Sequence, residues 1–323
     1  MCTAITYQTK DFYFGRNLDY MTSYGEEVVI TPRKFPLRFR HEKDQRMHYA
    51  MIGTACVRHG VPLYYDAVNE AGLGMAGLNF VGNAVYRPLK KGHTNIASFE
   101  LIPWILGQCD SVAQVRSLLS GLHLTNESFE ETVPPAQLHW IVADRQEAAT
   151  IEAVKDGLHF YRNPVGVLTN NPPFPMQLTN FNQYMQLSAK DPENRFSKRL
   201  SFSIPSRGMG ALGLPGDLSS QSRFVRAAFI KENSVSDCSE AGSVGQFFHI
   251  LGAVEFPRGC CDLGQKQYDI TMYSSCCNAN KGIYYYTTYG NRQITAVDMY
   301  REDWKGRDLI RKPMEQTQQI RYQ

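Results

Sequence analysis

MCTAITYQTKDFYFGRNLDY, residues 1–20, holds two β-rich segments, CTAITYQ and FYFGRNLDY, separated by the polar residues TKD. This pattern predicts a β-hairpin at the start of the chain. Cys2 directly follows Met1, and a small side chain at position 2 generally permits removal of the methionine. The mature chain is therefore expected to begin with Cys2, which would carry a thiol and a free α-amino group at the edge of a sheet.

The two groups of such a residue suit nucleophilic catalysis. A thiolate is the reactive form of cysteine, and a free thiol has a pKa of about 8.5, so its proton must be removed or its anion favoured. An α-amino group, with a pKa of about 7.7–8.0, can serve as the general base. Arg16 would favour the thiolate and Asp19 would hold the amine.

The spacing of Arg16 and Asp19 limits this hypothesis. Residues three apart on a regular strand face opposite sides, so both can meet Cys2 only if the strand bends, and Gly15 would permit such a bend. Considered on their own, Arg16 and Asp19 are more typical of an exposed ion pair.

Two asparagines at strand ends could stabilise an oxyanion. Acyl transfer needs hydrogen-bond donors, commonly backbone N–H groups and asparagine amides, and Asn79 in GLNF and Asn170 in VLTNNPP are candidates. Each alone is more typical of a turn. His139 and His249 lie in apolar segments and are predicted to be core residues with satisfied hydrogen bonds. Among these residues, Cys2 is the best candidate nucleophile.

The remaining chain alternates between strands and helices without an internal repeat. Helices are predicted at SFELIPWILGQC, SVAQVRSLLSGL with Ser111 as its N-cap, PMQLTNFNQYMQL, SSQSRFVRAAFIKE and SVGQFFHILGAV. Strands are predicted at EEVVITPR, PLYYDAV, GLGMAGLNF, LHWIVAD, AATIEAV, LHFYR, GVLTN, YDITMYSSC, GIYYYTTYG and QITAVDMY. These runs predict an α+β fold with antiparallel sheets, in a single domain over residues 1–323.

Composition argues against several classes of function. A formal charge of +3 and a pI near 8.3 fall short of the basic character of a nucleic-acid-binding protein. The longest apolar stretches, such as FELIPWIL, are too short to span a bilayer, which takes about 20 residues. No leader is recognisable, so a cytoplasmic protein is expected. Its eight cysteines are too dilute for a disulfide scaffold and lack zinc-site spacing. No cofactor or metal is expected.

Several of these segments together resemble one family. MCTAITYQTKDFYFGRNLDY, NEAGLGMAGLNF, LHWIVAD, GVLTNNPPF, GLPGDLSSQSRFVRAAF and KGIYYYTTYGN occur in order along nearly the whole chain and are similar to the choloylglycine hydrolase family. The resemblance implies an N-terminal nucleophile hydrolase fold, an αββα sandwich of two antiparallel sheets between helical layers. It also implies a homotetramer.

The resemblance assigns roles to the site residues. Cys2 would be the nucleophile after methionine removal, Arg16 and Asp19 would orient and activate it, and Asn170 with the backbone amide of Asn79 would form the oxyanion hole. Arg223 matches a further active-site arginine, although the helix pattern alone predicts a surface charge there.

The implied reaction is hydrolysis of the amide that joins a bile acid to glycine or taurine. Loops after Tyr20 and Phe80 would supply apolar walls for the steroid. Penicillin V and N-acyl homoserine lactones are alternative substrates within the family, and many penicillin V acylases have tyrosine at the position of Asn79, which favours bile salts here. A non-catalytic binding protein is a further alternative, which retention of Cys2 and its neighbours disfavours.

Overall fold

A computed structural model describes residues 1–323 and contains two large antiparallel sheets. The first sheet comprises β1 (Cys2–Gln8), β2 (Phe12–Tyr20), β12 (Val167–Leu168), β15 (Ile270–Asn278), β16 (Ile283–Thr288) and β17 (Asn291–Asp298). Its strand order is β12-β1-β2-β15-β16-β17. The predicted N-terminal hairpin is confirmed, because β1 pairs along its whole length with residues 12–18 of β2.

The second sheet is wider. It comprises β3 (Glu27–Thr31), β4 (Met51–Arg58), β5 (Val61–Asn69), β6 (Gly74–Asn79), β9 (Leu138–Ala143), β10 (Ala148–Val154), β11 (Gly157–Arg162) and β18 (Ile310–Pro313). Its order is β11-β10-β9-β6-β5-β4-β3-β18. Two small two-stranded sheets pair β7 (Thr94–Ala97) with β8 (Leu122–Thr125) and β13 (Asp262–Gly264) with β14 (Gln267–Tyr268).

Five α-helices are present, one in each segment where the sequence predicts a helix. They are α1 (Leu101–Leu106), α2 (Val112–Leu118), α3 (Phe174–Phe181), α4 (Ser220–Asn233) and α5 (Glu240–Gly252). Ser111 caps α2 as predicted, because its side chain accepts a hydrogen bond from the Gln114 backbone N–H. The longest helix, α4, has 14 residues, and none has the length and apolarity needed to cross a bilayer.

The elements form four layers around two apolar cores. One core lies between the two large sheets and continues to α4 and α5, which cover the outer face of the first sheet. The other core lies between the second sheet and α1 and α2. The central strands of both sheets, such as β1, β2, β6 and β9, therefore bury side chains on both faces. The arrangement is an αββα sandwich, and the predicted α+β class is confirmed.

Candidate functional site

Cys2 is the first residue of β1 and is almost completely buried. It pairs with Leu18 of β2, and its backbone nitrogen donates a hydrogen bond of 2.8 Å to Asn170 Oδ1. The pairing continues one residue further, because the Asp19 N–H donates to the Met1 carbonyl and the Met1 ammonium donates to the Asp19 carbonyl. The nitrogen of Cys2 is therefore held in place from both neighbouring strands.

Arg16 extends from the same face of the sheet as Cys2, towards the second sheet. It pairs with Ala4, two residues along β1 from Cys2, so the alternation of β1 and β2 directs both side chains between the sheets. Its Nη1 donates to the carbonyls of Tyr65, at 3.1 Å, and Gly77, at 2.5 Å. Nη2 has no hydrogen-bond partner.

The charge of Arg16 is maintained despite complete burial. Burial alone would lower the pKa of the guanidinium, but the neighbouring groups of Cys2, Tyr273, Asp66 and Asp19 raise it above its usual value. A fixed positive charge therefore lies on the side of the sheet that carries the thiol.

Asp19 lies on the opposite face of β2, towards the helical layer. The Thr271 hydroxyl donates to Asp19 Oδ1 at 2.6 Å, whereas Oδ2 is buried without a partner. Burial raises the pKa of this carboxyl above its ordinary value, and the positive charge of Arg223 is the largest of the effects that oppose the rise. Arg16 and Asp19 thus flank Cys2 from opposite faces of one sheet.

The strand does not bend at Gly15, although the sequence would permit a bend there. The pairing of β1 with β2 is regular across Gly15, and the irregularity lies instead on β15, where the register shifts between Thr271 and Tyr273. Gly15 is needed for a different reason: a Cβ there would lie 2.0 Å from the Ser275 carbonyl oxygen. Glycine allows close approach of β2 and β15 at this point.

Asn170 connects Cys2 to the second sheet. Its Oδ1 accepts from the Cys2 nitrogen and, at 2.8 Å, from Arg223 Nη2, while its Nδ2 donates to the Asn79 carbonyl at 2.8 Å. The two asparagines singled out in the sequence are therefore in direct contact. Asn79 ends β6 and Asn170 follows β12, so this contact joins the two sheets.

Arg223 projects from α4 and is completely buried. Its Nη1 donates to the Cys2 carbonyl, at 2.5 Å, and to Thr3 Oγ1, at 2.6 Å. Burial lowers the pKa of this guanidinium, whereas Asp19 and Cys2 oppose the change. The surface position predicted from the helix pattern alone is wrong, since the face of α4 that carries Arg223 and Ala227 packs on the first sheet.

Thr271 and Asp269 are further residues of the site, and sequence reasoning did not find them. Thr271 binds Asp19, and the Asp269 carboxylate lies 3.9 Å from the Met1 ammonium. Asp269 directly precedes β15 and Thr271 is its second residue, and the segment YDITMYSSC that holds both carries a strand pattern but no catalytic motif. No signal in the sequence marks them, because their proximity to Cys2 arises from strand order.

The histidine predictions have mixed outcomes. His139 is completely buried with both ring nitrogens in hydrogen bonds, as predicted. His249 is exposed on α5, so its predicted core position is wrong. No cluster of three or more His, Cys, Asp or Glu side chains is arranged to hold a metal ion.

Apolar side chains are exposed on the two loops predicted to form walls. Met21 and Tyr24 are exposed after β2, and Val81 is exposed after β6. The Tyr20 and Tyr24 rings pack against each other with centroids 5.6 Å apart. The Asn171 side chain donates to the Val81 carbonyl at 2.7 Å, which joins the second loop to the segment that carries Asn170.

Comparison with known proteins gives matches over nearly the full length. Residues 2–312 match the linear amide C–N hydrolases of the choloylglycine hydrolase family. The chain is 54% identical over 314 residues to the bile salt hydrolase/transferase of Lactiplantibacillus plantarum, covering 97% of this chain and 97% of that protein.

Two solved structures share the fold. A variant of the conjugated bile acid hydrolase from Clostridium perfringens matches with a TM-score of 0.91 and 33% identity over 99% of each chain. Penicillin V acylase from Agrobacterium tumefaciens matches with a TM-score of 0.76 and 18% identity, over 96% of this chain and 90% of that one. The predicted N-terminal nucleophile hydrolase sandwich is confirmed.

Proposed function

The chain belongs to the choloylglycine hydrolase family, and from that premise we propose that it hydrolyses the amide bond of glycine- and taurine-conjugated bile acids with Cys2 as nucleophile. The observation that carries the proposal is the 2.8 Å hydrogen bond from the Cys2 nitrogen to Asn170 Oδ1. It fixes the nitrogen of the nucleophile's own residue, which is the base that such a mechanism needs. The names of the relatives from L. plantarum and C. perfringens support the substrate class.

Activation begins with removal of Met1, because the Cys2 nitrogen is part of a peptide bond until then. The nitrogen then becomes an amine that still donates to Asn170 Oδ1. This amine takes the thiol proton, and the positive charge of Arg16, on the same face of the sheet, favours the thiolate. Removal of a single residue thus creates both the base and the nucleophile.

The thiolate attacks the amide carbonyl, and negative charge develops on the carbonyl oxygen. Asn170 Nδ2 has two N–H groups and uses one on the Asn79 carbonyl, so the other is available to the oxyanion together with the backbone N–H of Asn79. The C–N bond then breaks as the Cys2 ammonium returns a proton to the leaving amine. Water, activated by the same amine, cleaves the thioester and releases the bile acid.

Asp19 and Arg223 complete the site by positioning Cys2. Arg223 donates to the Cys2 carbonyl and to Asn170 Oδ1, so it fixes the nucleophile relative to the oxyanion donor. Asp19 provides a negative charge close to the N-terminal amine, which stabilises the ammonium that forms during attack. Arg223 thus acts on the position of Cys2, and Asp19 acts on the charge of its amine.

The substrate's steroid would lie against the exposed apolar side chains of Met21, Tyr24 and Val81. Asn79 favours bile salts over penicillin V, because many penicillin V acylases have tyrosine at that position. Penicillin V, N-acyl homoserine lactones and binding without catalysis remain the alternatives that an assay must separate.

The test first uses the mass of the protein to show that Met1 is absent. It then measures the release of glycine from glycocholate and of taurine from taurocholate. Cleavage of penicillin V and of an N-acyl homoserine lactone is measured in parallel. We expect the bile salts to be cleaved much faster. Cys2→Ser should lower kcat by about 10³-fold or more while the protein stays folded. Cys109→Ser, which changes another buried thiol in the core against α1 and α2, is the matched control and should keep the parental rate.

Full activity of Cys2→Ser would exclude Cys2 as the nucleophile. Faster cleavage of penicillin V or of the lactone would show that the proposed substrate class is wrong, but it would leave Cys2 as the nucleophile. No cleavage despite a free Cys2 would favour the binding protein.

Assembly and location are also part of the proposal. The segment 185–212 exposes the large apolar side chains Met185, Phe196, Leu200, Phe202, Ile204 and Leu212, and such a surface supports burial between subunits of a homotetramer. Eight free thiols support a reducing, cytoplasmic location. The core shared by β1 and β16 supports one domain over residues 1–323. Light scattering of the protein with Phe196→Ser and Phe202→Ser should give smaller particles than the parent.

A further inference from the structure

His139 and Glu152 form a buried pair that the mechanism above does not use. His139 lies on β9 and Glu152 on the adjacent strand β10, and both side chains are completely inaccessible to solvent. His139 Nδ1 lies 3.0 Å from Glu152 Oε1, and Nε2 lies 2.9 Å from the Thr169 carbonyl oxygen. A pair of ionisable groups in the apolar space between two sheets is expensive to bury, so its retention needs a reason.

The hydrogen bonds fix where the protons of this pair reside. The Thr169 carbonyl can only accept, so His139 Nε2 must carry a hydrogen. A second proton must lie between Nδ1 and Glu152 Oε1, because two lone pairs facing each other at 3.0 Å would repel. The geometry therefore directs the Nε2–H of His139 at the Thr169 carbonyl.

The contacts of His139 reach both segments that carry the oxyanion donors. Thr169 immediately precedes Asn170, so the Nε2–H bond holds the backbone next to that amide. Phe80 immediately follows Asn79, and its ring stacks on the His139 ring with centroids 4.2 Å apart and an interplanar angle of 5°. The His139 imidazole thus packs against the segment that carries Asn79 and donates to the segment that carries Asn170.

Glu152 contacts the start of α3, the helix that follows Asn170 in the chain. Besides facing His139, its Oε1 accepts at 2.9 Å from the backbone N–H of Phe174, the first residue of α3. Gln177, one turn later in α3, donates to the Asn170 carbonyl at 3.2 Å. Because Glu152 holds the start of α3 while α3 holds Asn170, the carboxyl acts on the same segment as His139.

We propose that the buried His139–Glu152 pair positions Asn79 and Asn170 relative to each other and so preorganises the oxyanion hole. The inference rests on the proposed function, since it assigns no substrate contact to either residue. His139 and Glu152 are positioning residues. The 2.8 Å bond from Asn170 Nδ2 to the Asn79 carbonyl is the geometry that they maintain, and a displacement of about 1 Å there can cost about 10²-fold in rate.

The test replaces His139 by residues that keep either its stacking on Phe80 or its hydrogen bond to the Thr169 carbonyl. His139→Phe keeps a ring for Phe80 to stack on but loses the N–H to Thr169, and we expect kcat to fall at least about tenfold with KM within about twofold. His139→Gln keeps a donor that reaches the Thr169 carbonyl and should recover most of the lost kcat. If His139→Phe does not fold, His139→Asn, whose shorter amide does not reach Thr169, takes its place.

His48→Phe is the matched control. His48 is also buried, and its ring nitrogens contact the carbonyls of Tyr49 and Phe35 outside the site. Its replacement should cost stability without lowering kcat. The rate of alkylation of Cys2 by iodoacetamide, which needs the thiolate but no oxyanion hole, should be the same in the parent, His48→Phe and His139→Phe.

Three results would overturn the inference. They are parental kcat in His139→Phe, equal losses of kcat and alkylation rate in His139→Phe, and a crystal structure of His139→Phe with the Asn170–Asn79 bond unchanged. If the parent cleaves no bile salt, the proposed function fails on its own. The inference is then decided by that crystal structure and by kcat on whichever amide the parent cleaves.

Discussion

Two buried polar clusters lie close to Arg16, and they differ in how their hydrogen bonds are satisfied. The Cys2 cluster surrounds the proposed nucleophile and leaves Arg16 Nη2 and Asp19 Oδ2 without partners. The other, the Asp66 cluster, consists of Thr54, Asp66, Tyr273, Ser275 and Tyr284. Tyr273 donates to Asp66 Oδ1 at 2.6 Å, and Tyr284 and Ser275 donate to Oδ2 at 2.6 and 3.2 Å.

The comparison distinguishes buried polar groups that stabilise the fold from buried polar groups that the proposed reaction uses. A buried polar atom without a partner costs about 1–3 kcal/mol, so a chain selected for stability alone would pair it, as the Asp66 cluster does. The Cys2 cluster bears this cost at Arg16 and Asp19, the two residues that flank Cys2. In the proposed mechanism, its unpaired groups are available to charges that appear only during the reaction.

Replacement of Asp19 by asparagine should produce the largest change in activity. We expect kcat/KM to fall by about 10³-fold, which corresponds to about 4 kcal/mol, because the ammonium of Cys2 loses its negative neighbour during attack. The free energy of unfolding should stay the same or rise, since the burial that raises the pKa of Asp19 no longer acts on a charge. Steady-state kinetics and urea denaturation measure the two quantities. Parental kcat/KM in this variant would remove Asp19 from the mechanism.

Replacement of Asp66 by alanine should have the reverse pattern. It leaves two buried tyrosine hydroxyls without their acceptor, and we expect the free energy of unfolding to fall by about 3 kcal/mol. Measured below the unfolding transition, kcat should fall by less than about tenfold, because no Asp66 atom is bonded to Cys2 or Asn170. A large loss of kcat with unchanged stability would show that Asp66 acts in the reaction and does not mainly stabilise the fold.

The pH dependence of stability offers a smaller but sharper contrast. Burial raises the pKa of Asp66 above its ordinary value of 3.8, although Arg16 and the tyrosines oppose the rise. Between 3.8 and the raised value the unfolded chain has lost the proton and the folded chain keeps it, so stability falls as pH rises.

Asp66→Asn cannot titrate at this position and serves as the reference. The free energy of unfolding of the parent relative to this variant should be largest below the ordinary pKa and fall by up to about 1.4 kcal/mol per pH unit above it. Urea denaturation of both proteins across the acidic range measures the difference. A difference that grew with pH would show that Asp66 is stabilised as the anion.

Local patterns in the sequence predict the elements well because each element is decided by its own residues. The hairpin of β1 and β2, the five helices and the Ser111 cap follow from alternation, apolar spacing and capping chemistry. β4 and β18 were not predicted, since MIGTACVR and IRKP become strands by pairing with β3 on either side.

The site is only partly predictable. Cys2, Arg16 and Asp19 are found from their proximity in one hairpin, although the alternation of β2 was needed to place them on opposite faces. Arg223 is known from the sequence only through the family resemblance, because its burial depends on which face of α4 the first sheet covers. His249 is misassigned for the same reason, since helical spacing alone does not say which side meets the sheet.

The contact between Asn170 and Asn79 has a consequence for how the chain becomes active during folding. Cys2 and Asn170 are 168 residues apart in sequence, and Arg223 is 221 residues from Cys2. Contacts of such long sequence separation form late, after the local hairpins and helices. A chain in which each sheet has formed but the two have not yet packed holds its nucleophile apart from Asn79. The site around Cys2 is therefore complete only once the two sheets have packed against each other.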